Sequence, residues 1–188
     1  MRNSFGTVRV LNSTDSKLGI TVDNQNGDIY VETIAGDASL STSFARVDAI
    51  DVTGNVTVRA SNSTIEISNP GGTIETDNSF GSVIVKGAKS DCNIRNRNGS
   101  IDLTTVRTGE NYRLSTTFAP IKITFPTDLS ATFMVETSFG DIECDFPLKV
   151  VKADTRMALE GKVKEGTSKI QIENQNGAVY IRKGVGEK

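Results

Sequence analysis

Val47-Asp48-Ala49, Val56-Thr57-Val58, Ile65-Glu66-Ile67 and Ile74-Glu75-Thr76 follow one another at intervals of nine residues. That interval decides the fold. Extended both ways, it places Ile29, Ala38, Val47, Val56, Ile65, Ile74, Val83, Cys92 and Ile101 in one phase. Val31, Leu40, Ala49, Val58, Ile67, Thr76, Val85, Ile94 and Leu103 stand two residues after them. Intervening positions such as Asp28, Tyr30, Thr57, Glu66 and Glu75 are mostly polar. Apolar residues two apart with polar residues between them describe a short strand with one buried face. The register holds without a slip from Ile29 to Leu103. It continues with small insertions through Val8/Val10 and Ile20/Val22 upstream. Downstream it passes through Tyr112/Leu114, Ile121/Ile123, Phe133/Val135, Ile142/Cys144, Ile170/Ile172 and Val179/Ile181.

Every second interval carries a four-residue word, Asn/Thr–polar–Phe/Asn–Gly/Ala. It starts at Asn3, Asn24, Thr42, Asn78, Asn96, Thr116, Thr137 and Asn174, with a degenerate copy at Ala60. The unit is therefore 18 residues, two strands each, and a period of that length marks a repeat architecture. The expectation is an all-β fold: a right-handed parallel β-helix, or β-solenoid, with about 18 residues and two strands per coil and roughly ten coils. At about 4.8 Å per coil the body is a rod of order 45–50 Å. One domain fills residues 1–188. The stretch 146–167, which loses the word, is an irregular coil or a protruding insertion, and 182–188 is a frayed tail. Three extra residues near Leu11–Lys17 interrupt the frame. The third word position reads Phe5, Asn26, Phe44, Asn62, Phe80, Asn98, Phe118 and then Phe139, which breaks the alternation. Each Phe is expected to close a corner of the core between Asn corners whose amides satisfy turn backbone groups.

Composition agrees. Val plus Ile number 33 against 8 Leu, and 21 Thr add further β-branched residues, a balance that favours strands. No apolar run is long enough for a transmembrane helix, and the opening Met1-Arg2-Asn3-Ser4-Phe5 is not a secretory signal. The formal net charge of −2 argues against a nucleic-acid partner held by charge. The chain has no His, which removes Ser-His and Cys-His nucleophile pairs and His-ligated metal.

Few reactive constellations remain. Gly71-Gly72 is the only Gly-Gly pair, and Asp28, Asp37 and Asp91 do not recur as a calcium-binding nonapeptide. No metal or other cofactor is expected. The outward Thr57, Thr64 and Thr73 alternate with charges rather than forming a flat ice-binding array. The outward ladder Tyr30, Asp48, Glu66, Ile84, Asp102 places Asp48 and Glu66 one coil apart beside Arg46, a spacing a glycosidase could use. A solvated acidic face produces the same spacing. Cys92 and Cys144 fall on inward positions nearly three coils apart, too far for a disulfide. The break in the repeat carries Lys149, Lys152, Arg156, Met157, Leu159, Lys162 and Lys164. These are the candidate binding residues, because function often sits on interruptions of a scaffold.

Phe125-Pro126-Thr127-Asp128-Leu129-Ser130-Ala131, Glu136-Thr137-Ser138-Phe139-Gly140-Asp141-Ile142 and Asp145-Phe146-Pro147-Leu148 carry a resemblance, as does the closing Ile170–Ile181. With these stretches the chain resembles a bacterial adhesin-type family of right-handed β-helix domains whose function is largely unassigned. The resemblance implies a non-enzymatic adhesion or interaction module in the cell envelope, in the periplasm or at the cell surface. Its implied partners are an envelope polysaccharide or a surface protein. Two alternatives stand beside it. One is a structural scaffold that self-associates through the solenoid ends, and the other is a carbohydrate-active enzyme built on Asp48 and Glu66.

Overall fold

The structure, a computed structural model, describes residues 1–15 and 19–184. Among them every regular element is a strand. The strands are β1 (Arg2–Phe5), β2 (Val8–Ser13), β3 (Ile20–Asn26), β4 (Ile29–Ile34), β5 (Ala38–Phe44), β6 (Val47–Val52) and β7 (Val56–Asn62). Next come β8 (Ile65–Ser68), β9 (Ile74–Phe80), β10 (Val83–Ala88), β11 (Cys92–Asn98), β12 (Ile101–Thr105), β13 (Asn111–Phe118) and β14 (Ile121–Phe125). The chain closes with β15 (Ala131–Thr137), β16 (Ile142–Cys144), β17 (Val150–Ala153), β18 (Arg156–Val163), β19 (Ser168–Asn176) and β20 (Val179–Lys183).

The odd strands up to β13 pair in parallel into sheet A, and the even strands up to β14 into sheet B. The chain is a parallel β-solenoid of about 18 residues per coil, and the register shows it directly. Val47 pairs with Ile65, and Val56 with Ile74. All eighteen inward positions read from the nine-residue interval between Ile29 and Leu103 are buried, none more than 2% exposed. They fill one continuous core between the sheets. Seven coils follow one another in chain order, β1/β2 to β13/β14, fewer than the roughly ten expected. The shortfall has a physical source: residues 146–167 build a hairpin rather than a coil, and the insertions also consume chain.

The remaining coils are stacked out of order. Sheet A runs β13-β19-β15 and sheet B runs β14-β20-β16. The final coil, β19/β20, therefore lies between β13/β14 and the earlier β15/β16. Tyr112 pairs with Ile170 on one side, and Phe133 pairs with Ile170 on the other. Ile170, Ile172, Val179 and Ile181 enter the core at 1% exposure or less. At this level the core widens to take aromatic rings. Tyr112, Phe125 and Phe133 meet edge to face at centroid distances of 5.3 and 6.2 Å, and Phe146 lies 6.0 Å from Phe133.

The corners differ from the expectation. The first residue of the word, not the third, closes the core. Asn96 Nδ2 donates to Gly81 O at 2.7 Å and Ser100 O at 3.2 Å. Asn24, Asn78 and Asn174 act likewise. Where Thr replaces Asn, a hydroxyl donates instead, from Thr42 to Phe44 O and from Thr137 to Gly177 O. With that corner filled, the chain leaves the strand two residues later and the Phe points to solvent. Phe5, Phe44, Phe80, Phe118 and Phe139 are 52–77% exposed. The residues after the first four of these have positive φ: Gly6 91°, Ala45 114°, Gly81 97° and Ala119 138°.

The two ends are unlike. At one end β1 and β2 have no neighbour on their outer edges among the described residues. At the other, β18 pairs antiparallel with β15, and β17 with β18. This hairpin, with Phe146 buried beside it, extends sheet A two strands past β15 over the end of the core. Of the segment expected to fray, Arg182 and Lys183 belong to β20, and the Lys183 amide donates to Asp145 Oδ2 at 3.0 Å. Residues 185–188, and residues 16–18 of the upstream insertion, lie outside the described residues.

Candidate functional site

Strand alternation gives the solenoid two broad outward faces, and their charges are organised differently. On sheet B most outward charges from Arg46 onward neutralise one another, while Arg9 of β2 lies over the Tyr30 ring. Arg46 lies in the turn before β6, and its Nε donates to both carboxylate oxygens of Asp48 at 2.7 and 2.8 Å. Its Nη2 donates to Glu66 Oε2 at 2.6 Å, and Lys86 Nζ donates to Glu66 Oε1 at 2.5 Å. Further along, Lys122 faces Asp102, and Arg182 joins Glu143 and Asp145. The hydrogen bond from Lys86, with the charges of Lys86 and Arg46, holds the Glu66 carboxyl below its ordinary range despite partial burial. Asp48 and Glu66 do stand side by side across β6 and β8. Their lone pairs, however, are spent on cations, and a carboxyl so depressed is a poor proton donor at neutral pH.

Sheet A is the reverse. Among the described residues, Arg59, Arg95, Arg97 and Arg113 form no ion pair, and the only one on this sheet joins Arg156 to Glu136 at 2.5 Å. Arg95 and Arg97 of β11 line a groove of about 470 Å³ that crosses Thr117 of β13, Glu173 of β19 and Glu136 of β15. A second groove, about 740 Å³, lies at the other end of the same strands, between Asn93, Arg113, Lys169, Gln171 and Met134. Arg113 Nη2 donates to Gln171 Oε1 at 2.8 Å. The out-of-order coil supplies wall residues to both grooves. The floor is made of hydroxyls, amides, guanidinium groups and carboxylates at one coil's spacing.

Beneath this face, Asp91 closes the insertion before β13. Its Oδ1 accepts from the amides of Glu110 and Asn111 at 2.6 and 3.1 Å. Partial burial opposes its ionisation, but the hydrogen bonds from Asn111 and Glu110 together outweigh that and lower its pKa. Cys92 is buried, and desolvation pushes its thiol up to about 12, so it is not a nucleophile at neutral pH. Cys92 and Cys144 are both free. Among the described residues, no group of three His, Cys, Asp or Glu is placed to hold a metal ion, and no helix is long and apolar enough to cross a membrane.

The seven candidate residues of the repeat break separate. Leu159 is fully buried and belongs to the core, not to a surface. Met157, half-buried, packs on the same side of β18. Arg156 pairs with Glu136, and Lys162 lies level with Thr132 across the β15–β18 ladder, so these two join the sheet A face. Lys164 Nζ donates to Asp128 O at 2.7 Å. Lys152 lies opposite Met157 on β17, and Lys149 precedes that strand, so neither adjoins the grooves. The residues that sequence reasoning passed over are Arg95, Arg97, Arg113, Lys169, Gln171 and Glu173. The first three were legible as outward positions of the sheet A half-units. The last three were not, because nothing local tells that β19 sits beside β13.

No curated protein and no solved structure matches the chain. A family model described as Toastrack DUF4097 matches residues 4–182, nearly the whole solenoid, and describes a domain of unknown function. On the strength of that match and of a repeat that runs its full length, the chain belongs to the Toastrack DUF4097 family.

Proposed function

We propose that the chain is a non-enzymatic interaction module that holds a hydroxyl-rich polymer, an envelope polysaccharide, along the outward face of sheet A. One observation carries this reading. From Arg46 to Arg182 most charge on sheet B is paired off, while sheet A, where two grooves line up along the same strands, has a single ion pair among the described residues. Free guanidinium groups beside Ser, Thr, Gln and carboxylates supply donors and acceptors at short, regular intervals, as a chain of sugar hydroxyls requires. Placement in the envelope, and adhesion as the biological use, rest on the resemblance of the sequence.

Affinity electrophoresis through gels containing purified envelope polysaccharides tests it. Retardation should be lost in an Arg95→Ala, Arg97→Ala, Glu173→Ala variant and kept in an Asp48→Asn, Glu66→Gln variant. Retardation that survives the first set and disappears with the second would overturn the assignment. End-to-end stacking is a second reading: the ladder edges of β1 and β2, without a partner strand among the described residues, offer backbone groups to another chain. Mass that climbs steadily with concentration would support it, and a fixed mass would remove it.

A further inference from the structure

The third position of the word makes a ridge along one edge of the solenoid, at the corner between sheets A and B. Read in space, its order is Phe5, Asn26, Phe44, Asn62, Phe80, Asn98, Phe118, Asn176, Phe139. The ladders pair Phe5 with Asn26, Asn26 with Phe44, Phe44 with Asn62, and Asn62 with Phe80. They also pair Phe80 with Asn98 and Phe118 with Asn176. Thr137 pairs with Asn174, which brings Phe139 level with Asn176 two residues further on. In the chain, Phe139 follows Phe118 directly and the alternation fails. In space, the out-of-order coil inserts Asn176 between them and restores it over nine levels. Duplication of neighbouring repeats does not produce this, because the coil that repairs the pattern is not a sequence neighbour of either Phe.

Each Phe is more than half exposed, while the Asn residues are half-buried except for the exposed Asn62. The ridge is therefore a row of knobs about 10 Å apart, two strand spacings, with a notch between each pair. We infer that this ridge is an interface for a second copy of the chain, the knobs of one copy seated in the notches of the other. A second copy is the occupant whose pitch matches by construction, since both ladders have the same strand spacing. Two copies running antiparallel and offset by one coil place Phe opposite Asn at each of the eight overlapping levels, with Phe139 lying beyond the overlap. Phe5 then faces Asn176, Asn26 faces Phe118, Phe44 faces Asn98 and Asn62 faces Phe80. This arrangement is isologous and closes as a dimer.

The area is of the right order. The four Phe inside the overlap together expose more than two whole residues' worth of surface, about 360–600 Å² for aromatic side chains of this size. A standard interface takes about 800 Å² from each partner. Asn amides in the notches keep their polar atoms at the rim. The dimer leaves open the groove at Arg113, Lys169 and Gln171, whereas the groove at Arg95 and Arg97 reaches the ridge through Thr117, Ser138 and Gln175.

Light scattering behind a sizing column, over a wide range of concentration, tests the inference. The wild-type chain should reach a fixed mass of two copies. A Phe44→Ser, Phe80→Ser, Phe118→Ser variant should stay monomeric, and each single change should weaken the dimer by ~10-fold. Because these side chains lie mostly in solvent, a urea midpoint equal to that of the wild-type chain, measured at concentrations where the wild type is itself monomeric, will show that the variants fold. Asn62→Phe separates seating from stickiness. It adds apolar surface yet fills a notch, so the dimer should weaken. A wild-type chain that is monomeric throughout, dimers indifferent to the serine changes, or a tighter dimer from Asn62→Phe would each overturn the inference.

Discussion

Removing everything after Gly166 should free a part of the solenoid that precedes the cut. In a solenoid stacked in chain order, loss of the last coil leaves its neighbours nearly intact, because each coil contacts only adjacent ones. Here the last coil is flanked on both sides, by β13/β14 and by β15/β16. The truncation removes Ile170, Ile172, Val179 and Ile181, all buried. At about 1.5–3 kcal/mol each, that is about 6–12 kcal/mol of burial, comparable with the roughly 5–15 kcal/mol that holds an ordinary domain together. It also strips β15 of its parallel partner, leaving only the β17–β18 hairpin beside it. The expected result, read by amide hydrogen exchange, is loss of protection across 131–163 as well as at the cut, with protection kept in β3–β12. A peptide spanning residues 168–184, added in trans, should restore it. Retained protection across 131–163 in the truncated chain would mean that β15/β16 settle directly on β13/β14, and would refute the reasoning.

Ala45 and Ala119, with φ of 114° and 138°, occupy backbone that glycine adopts freely, so Ala45→Gly should raise the urea-derived stability by ~1 kcal/mol. Gly99→Ala should do the opposite and cost ~3 kcal/mol or more in the same assay, because its Cβ would collide with the Gly81 carbonyl oxygen. Asn96→Ala leaves two corner carbonyls without their donor and should cost ~2 kcal/mol in urea unfolding. Asn96→Thr, which copies the Thr42 corner, should cost less. Asp91 has its folded pKa lowered, so its contribution is present above about pH 4 and lost as pH falls through the folded value. Asp91→Asn should accordingly flatten the acid side of the stability-versus-pH curve, and an unchanged acid limb would refute that role.

What the sequence by itself determined is the coil. The nine-residue interval from Ile29 to Leu103 is a local pattern, and alternation within a strand follows from backbone geometry alone, so fold class, coil length and inward residues could all be read from it. The word was legible too, but its parts were assigned the wrong way round. Phe was given the corner of the core because it is the more apolar residue. The corner instead needs donors for carbonyls of two successive coils, which Asn24, Asn78 and Asn96 supply and Phe cannot. Tertiary structure alone decided the layer order. Residues 168–184 read like any other coil, and nothing in them states that they fill a gap between β13 and β15. That order goes with the edge-to-face packing of Tyr112, Phe125 and Phe133 and with the hairpin of 146–167, which separates β16 from β19 in the chain. The same event made the grooves of sheet A, whose walls come from β11, β13, β19 and β15, and it completed the Phe–Asn ridge. Both surfaces join residues far apart in the chain, which is why a periodicity read along one dimension reached the body of the protein and not its faces.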